Sequence, residues 1–191
     1  MIQSIYERIK NYKPGDEQEQ QDQAVMLQYI EQFDNILERK NVFAHFTASP
    51  WIINQGHSKV LLIYHRIFDS WGWCGGHCDG DPDFQAVALR EGQEETGLSS
   101  IRIAAPDILA LDVIPVISHV RKGAFVTAHV HLNVTYLCTA DDREPLHHKE
   151  DETRGAMWVK PEEVTGLVSP WDRVMIPVYE KLNRKTFLRD T

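Results

Sequence analysis

At 191 residues, with 42% apolar and 25% charged side chains, the chain has the size and composition of one globular domain with an appendage. Asp and Glu outnumber Lys and Arg by 28 to 20, a formal net charge of −8. That balance argues against a nucleic-acid partner, whose phosphate backbone calls for a basic face. The first residues lack the apolar core of a signal peptide, and the longest apolar runs, such as residues 60–63, are too short to cross a bilayer, so no membrane partner is expected. Cys74, Cys78 and Cys138 make no disulfide framework and suit the reducing cytoplasm.

Residues 1–40 read as a helical extension, followed by a main domain over 41–191. A first helix around Ile5–Tyr12 stops at Lys13-Pro14-Gly15-Asp16. In a second, Met26, Tyr29, Ile30, Phe33, Ile36 and Leu37 recur at three- and four-residue steps and form one apolar face. That face packs on the body of the protein or, in a homodimer, on a second copy. Strands follow at 46–54 and 59–65, joined through Gln55-Gly56-His57-Ser58 as a hairpin. Weaker strands are expected at 101–105 and 109–116, and a short one at 156–159. The sharpest alternation runs from Phe125 to Leu137, with Val126, Ala128, Val130, Leu132, Val134 and Tyr136 on one face and Thr127, His129, His131, Asn133 and Thr135 on the other. One face then meets a core and the other meets water or a cleft. A last helix is expected to start at Ser169-Pro170, with Ser169 as its N-cap.

The chemistry concentrates between Gly76 and Leu98. A Gly-rich turn leads into a helix whose start offers Asp81 and Asp83 as N-caps and whose end is Gly97, the residue suited to a left-handed stop. Phe84, Val87 and Ala88 give it an apolar side. At about 100° per residue, Glu91, Glu94 and Glu95 project within an arc of about 100°. Arg90, four residues before Glu94, is placed to pair with it. Carboxylates this close raise one another's cost of ionising unless a hard cation relieves it, and Mg²⁺ prefers such oxygen donors. A solvated acidic helix face is the bland reading of the same residues.

This segment resembles the Nudix box, G-x5-E-x7-R-E-U-x-E-E-x-G-U, where U is bulky and apolar. Gly76, Arg90, Glu91, Glu94, Glu95, Gly97 and Leu98 match seven of its nine defined positions, over about an eighth of the chain. Pro82 stands where the family has its first glutamate, and Gly92 stands at the apolar position. The resemblance implies an α/β/α sandwich around a mixed β-sheet and a Mg²⁺-dependent hydrolase, with Mn²⁺ as an alternative ion. It would cleave the diphosphate of a nucleoside diphosphate linked to another moiety, a small-molecule substrate. It also implies Glu91, Glu94 and Glu95 as metal ligands, with a backbone carbonyl of Gly75 or Gly76 as a further one. Arg90 joins them in the catalytic set. Family members often add a carboxylate shortly before a Trp-containing strand; here that is Glu152, ahead of Trp158, as ligand or general base, with Glu150 second.

Outside the box, His129 and His131 are candidate substrate-cleft residues, and Arg66, Trp71 and Trp73 candidate contacts to a base or sugar. Histidines on a half-buried sheet and tryptophans in a core need no such role. Cys74, His77 and Cys78 are zinc-ligand types without an evident fourth ligand. His45 and the pair His147-His148 carry weaker signals. Two other functions fit the fold: an isopentenyl-diphosphate isomerase-like enzyme, against which the intact REGQEE argues, and a non-catalytic nucleotide-sensing module, whose mark would be lost glutamates.

Overall fold

The computed structural model describes residues 2–121, 123–147 and 153–187. Among these, two helices, α1 (Ile2–Asn11) and α2 (Glu17–Gln32), precede the strands β1 (Ala44–Asn54), β2 (Val60–His65), β3 (Ser70–Gly72) and β4 (Gly76–His77). Helix α3 (Phe84–Thr96) leads to β5 (Arg102–Val116) and to a small hairpin of β6 (His119–Arg121) and β7 (Ala124–Val126). Then come β8 (His129–Ala140), β9 (Thr153–Val159), the short α4 (Val164–Leu167) and α5 (Ile176–Phe187).

Seven of these strands form one mixed sheet in the order β3-β2-β1-β8-β5, with β4 added on β1 and β9 on β2. The β1–β8 pair is parallel along its whole length, from Ala44 opposite Val130 to Asn54 opposite Ala140. The other pairs are antiparallel. Helices cover both faces, giving the α/β/α sandwich that the resemblance implies. On one face Phe46 and Ala48 of β1 and Leu132, Val134 and Tyr136 of β8 pack with Phe84, Val87 and Ala88 of α3 and with Ile5, Ile9, Met26 and Ile30 of α1 and α2. On the other, Trp51 and Ile53 meet Val164, Tyr179 and Leu182. The apolar face of α2 is therefore spent inside the chain rather than offered to a second copy.

Several elements differ from the sequence expectation for local reasons. Helix α2 ends at Gln32, and Phe33 turns extended at φ −130°. Asp34 and Asn35 follow, side chains that compete with helical backbone bonding. Ile36 and Leu37 are still buried, held where the Ile36 carbonyl accepts a 2.7 Å bond from the Phe46 amide. The two strands expected within 101–116 are one, β5, whose pairing with β8 shifts register between Ile103 and Ile108 around Pro106, which has no amide proton to give. Conversely, the strand expected from Phe125 to Leu137 is interrupted at Thr127-Ala128, and its first residues form the hairpin instead. Its two faces are as expected, and the polar one borders a cleft at His129, His131 and Asn133, with Asn133 and Thr135 themselves buried. Ser169 caps no helix; its hydroxyl donates to the Asp69 carbonyl at 2.6 Å, and α5 starts at Ile176 with Pro177 in its first turn.

Candidate active site

A cleft of about 1200 Å³ opens beside the central strands, and Gly75, Gly76, Arg90, Glu91, Glu94 and Glu95 are among its lining. Helix α3 is fixed above it at both termini. Asp83 is the N-cap, its Oδ1 accepting from the amides of Gln85 at 3.1 Å and Ala86 at 3.2 Å. Gly97 stops the helix at φ +71°, its amide bonded to the Gln93 carbonyl. Pro82 thus lies just before the cap, outside the helix, where its missing amide proton costs nothing. Its carbonyl accepts from Arg8 of α1 at 3.3 Å.

The three carboxylates differ in exposure. Glu95 is buried and accepts a 2.9 Å bond from the Gly75 amide. Glu91 is half-buried against Gly76, where a Cβ would collide with its carboxylate. Glu94 is exposed at the cleft. Arg90 reaches Asp81 Oδ2 at 3.4 Å and Glu91 Oε1 at 3.7 Å. Asp81, one residue before Pro82, therefore supplies a carboxylate to Arg90 from the turn. Gly92 is equally local in origin: a Cβ there would meet Ile101 Cδ1 and Pro50 Cγ at 3.1 Å each, so α3 approaches β1 closely at that level.

The donor set fits a hard divalent ion. Carboxylates of Glu91, Glu94 and Glu95 and the backbone of the Gly75-Gly76 turn are all oxygen donors, and the absence of side chains on that turn is what admits Glu91 to it. The described cysteines do not join a metal site. Cys74 packs with Ile52, Leu61 and Leu98, and Cys78 with Phe46 and Phe84. Burial, and next the Glu95 carboxylate, holds the Cys74 thiol well above its ordinary range, and burial does the same at Cys78.

His45, His77, His129, His131 and Asn133 also line the cleft. Asn133 Oδ1 accepts from both Thr47 and Ser49 hydroxyls at 2.9 Å, which fixes its rotamer. Of the residues singled out in the sequence, His129 and His131 do face the cleft. Arg66 is exposed on a turn outside its lining, with Nε on the Thr153 carbonyl at 3.2 Å. Trp73 lines the cleft while packing edge-on against Tyr179, and Trp71 lies against Tyr64. Glu150, Glu152 and His148 lie outside the described residues. Arg39, Asp172 and Tyr179 also line the cleft; they come from segments distant in the chain, and no local pattern marks them.

The family model described as NUDIX domain matches residues 45–182. The chain belongs to the Nudix family. With its box carboxylates retained, it is a Nudix-type pyrophosphohydrolase acting on phosphorus-containing acid anhydrides. No curated protein matches it. Among solved structures, a C. elegans Ap4A hydrolase binary complex aligns at a TM-score of 0.53 with 17% identity, over 73% of this chain and 93% of that one. The Nudix hydrolase RenU from M. smegmatis aligns at 0.52 with 15% identity, over 78% and 92%. A MutT protein from Methanosarcina mazei Go1 aligns at 0.52 with 15% identity, over 75% and 98%. At these identities the likeness is one of fold.

Proposed function

We propose that this Nudix enzyme is Mg²⁺-dependent and cleaves the diphosphate of a nucleoside diphosphate linked to another moiety, in the cytoplasm. The observation that supports this reading is that Glu91, Glu94 and Glu95 line the same cleft as the side-chain-free Gly75-Gly76 turn, with Glu91 against Gly76 and Glu95 bonded to the Gly75 amide. Glu91, Glu94, Glu95 and a Gly75 or Gly76 carbonyl would hold the ion. When bound, it would neutralise the diphosphate and offset the repulsion among the carboxylates.

The chain's own groups do the rest. The Gly75 amide holds Glu95 in place, and Arg90, set between Asp81 and Glu91, orients the Glu91 carboxylate. A carboxylate at the cleft takes the proton from an attacking water as that water meets phosphorus in line with the leaving oxygen. Glu152, on the segment before β9, is proposed for this role or as an added ligand. The distal moiety would lie along the wall of His129 and His131, with Arg66 able to contribute only by moving in from its exposed turn.

The test is a panel of nucleoside triphosphates, ADP-ribose, dinucleoside polyphosphates and NADH, each with and without Mg²⁺. Turnover of at least one, abolished without divalent ion, is expected. Glu94→Gln and Glu95→Gln should each lower that turnover by about 10²-fold or more while leaving the circular dichroism spectrum unchanged. Failure to turn over any of them would favour a nucleotide-sensing module; full activity in both variants would sink the carboxylate assignment.

A further inference from the structure

Four imidazoles that the box chemistry does not use converge on one point of the cleft wall. Strand pairing puts them there. In the parallel β1–β8 pair His45 lies opposite His131, and β4 joins the other side of β1 with His77 opposite Thr47, two residues along the same face from His45. His129 is two residues before His131 on the same face of β8. One ring nitrogen from each of the four lies within 4.8 Å of the others. His45 is central, with ring centroids of His77 and His129 at 5.0 Å and of His131 at 5.1 Å.

The hydrogen bonds around the cluster orient the rings. His45 Nδ1 is 3.1 Å from the Asn41 carbonyl, and His129 Nδ1 is 2.8 Å from the Thr127 carbonyl. A carbonyl only accepts, so each Nδ1 carries the proton and each Nε2 presents a lone pair to the centre. Donation of the second ring N–H to a backbone carbonyl is how metal-bound histidines are held. His45 is 3% exposed, and its Nε2 has no hydrogen-bond partner. The nitrogens His129 Nε2 and His131 Nε2 stand 3.2 Å apart. Two nitrogens on a tetrahedral zinc at about 2.05 Å would be about 3.3 Å apart.

We infer that His45, His77, His129 and His131 form a second metal site, built for a divalent transition ion of the zinc type from nitrogen donors, where the site on α3 offers oxygen. Donor chemistry sorts the ions: imidazole nitrogen suits Zn²⁺ and its neighbours, whereas oxygen donors suit Mg²⁺. Nearby charge is balanced in the Arg39–Asp79 pair, bonded through Nε at 2.7 Å. Four neutral ligands would leave the ion's two positive charges uncompensated, so a loaded site adds an anion-attracting charge to the cleft.

The experiment is zinc titration of the chelator-stripped full chain by calorimetry in excess Mg²⁺, with X-ray absorption at the zinc edge of the loaded protein. One zinc per chain is expected, with a nitrogen-dominated shell showing imidazole scattering. His129→Ala and His77→Ala, each checked for fold by circular dichroism, should weaken zinc binding by about 100-fold or more, while Glu94→Gln leaves it unchanged. No zinc binding by the wild type, an oxygen shell, or loss of zinc in Glu94→Gln with retention in both histidine variants would overturn the inference.

Discussion

At the level of single residues, the two departures from the Nudix pattern have different meanings. Gly92 replaces a bulky apolar residue, yet the position is already filled from the sheet side, with Ile101 and Pro50 at 3.1 Å from where a Cβ would be. Gly92→Leu, which would restore the family pattern, should therefore destabilise the fold by about 1–3 kcal/mol through overpacking. Urea denaturation measures this, and a stabilised variant would contradict the close approach of α3 to β1. Gly76 matches the pattern, and its lack of a side chain has a direct role because Glu91 lies against it. Gly76→Ala should push Glu91 aside and lower turnover by about 10-fold or more, a 1.4 kcal/mol change in the barrier. Its midpoint of unfolding should shift far less than that of a core truncation.

At the level of elements, α3 shows what fixes the site's geometry. Its carboxylates are only as well placed as its start, which depends on Asp83 bonding two amides and on Phe84 buried against Phe46 at a centroid distance of 5.3 Å. Asp83→Ala should cost about 1 kcal/mol and Phe84→Ala about 3–5 kcal/mol, each measured by chemical denaturation. A loss at Asp83→Ala of under a few tenths would argue that the helix start is fixed by other contacts. This helix was legible in the sequence because caps, apolar side and carboxylate spacing are all local. The β8 faces were legible for the same reason, through strict alternation. What local pattern does not carry is where strands stop and how they pair. Thr127-Ala128 keeps the alternation of its neighbours, yet the chain turns there into the β6–β7 hairpin. The parallel alignment of β1 with β8 joins residues about 86 positions apart, such as His45 and His131. That pairing is why the imidazole cluster stayed hidden while the carboxylate helix stood out. Arg90 adds a contact that spacing along the helix does not carry, to Asp81 on the preceding turn.

At the level of the whole molecule, a buried ionic network ties the N-terminal helices to the far side of the sheet. Lys181 of α5, 1% exposed, donates to Asp112 of β5 at 2.5 Å and to Gln18 of α2 at 2.9 Å, with Glu19 of α2 at 3.6 Å. Glu19, fully buried, also takes Lys185 at 2.6 Å, the Tyr12 hydroxyl at 2.6 Å and the Gly15 amide at 2.7 Å. Charges removed from water in this way hold only while paired. Burial lifts the Asp112 carboxyl to about 6, against the pull of Lys181, so ionised Asp112 is tolerated rather than favoured. Burial also works against ionised Glu19, but Lys185, Tyr12 and the Gly15 amide outweigh it and hold that carboxyl below its ordinary range. The two slopes oppose. Asp112 helps the fold most below its unfolded 3.8, and that help fades as pH rises towards 6. Glu19 helps above its unfolded 4.5 and loses this as pH falls. Lys181→Met removes the cation they share, and Asp112 then titrates higher still. The variant should lose about 3–5 kcal/mol near neutral pH, where Asp112 must either stay ionised beside Glu19 without the lysine or take up a proton against the solvent pH. The loss should shrink on acidification to about pH 5, where Asp112 takes up a proton and no longer needs the lysine. Denaturant unfolding of wild type and variant at both pH values makes the comparison. An equal loss at the two values would mean that Lys181 acts through its apolar stem rather than its charge, and that α2 is held to the sheet by packing alone.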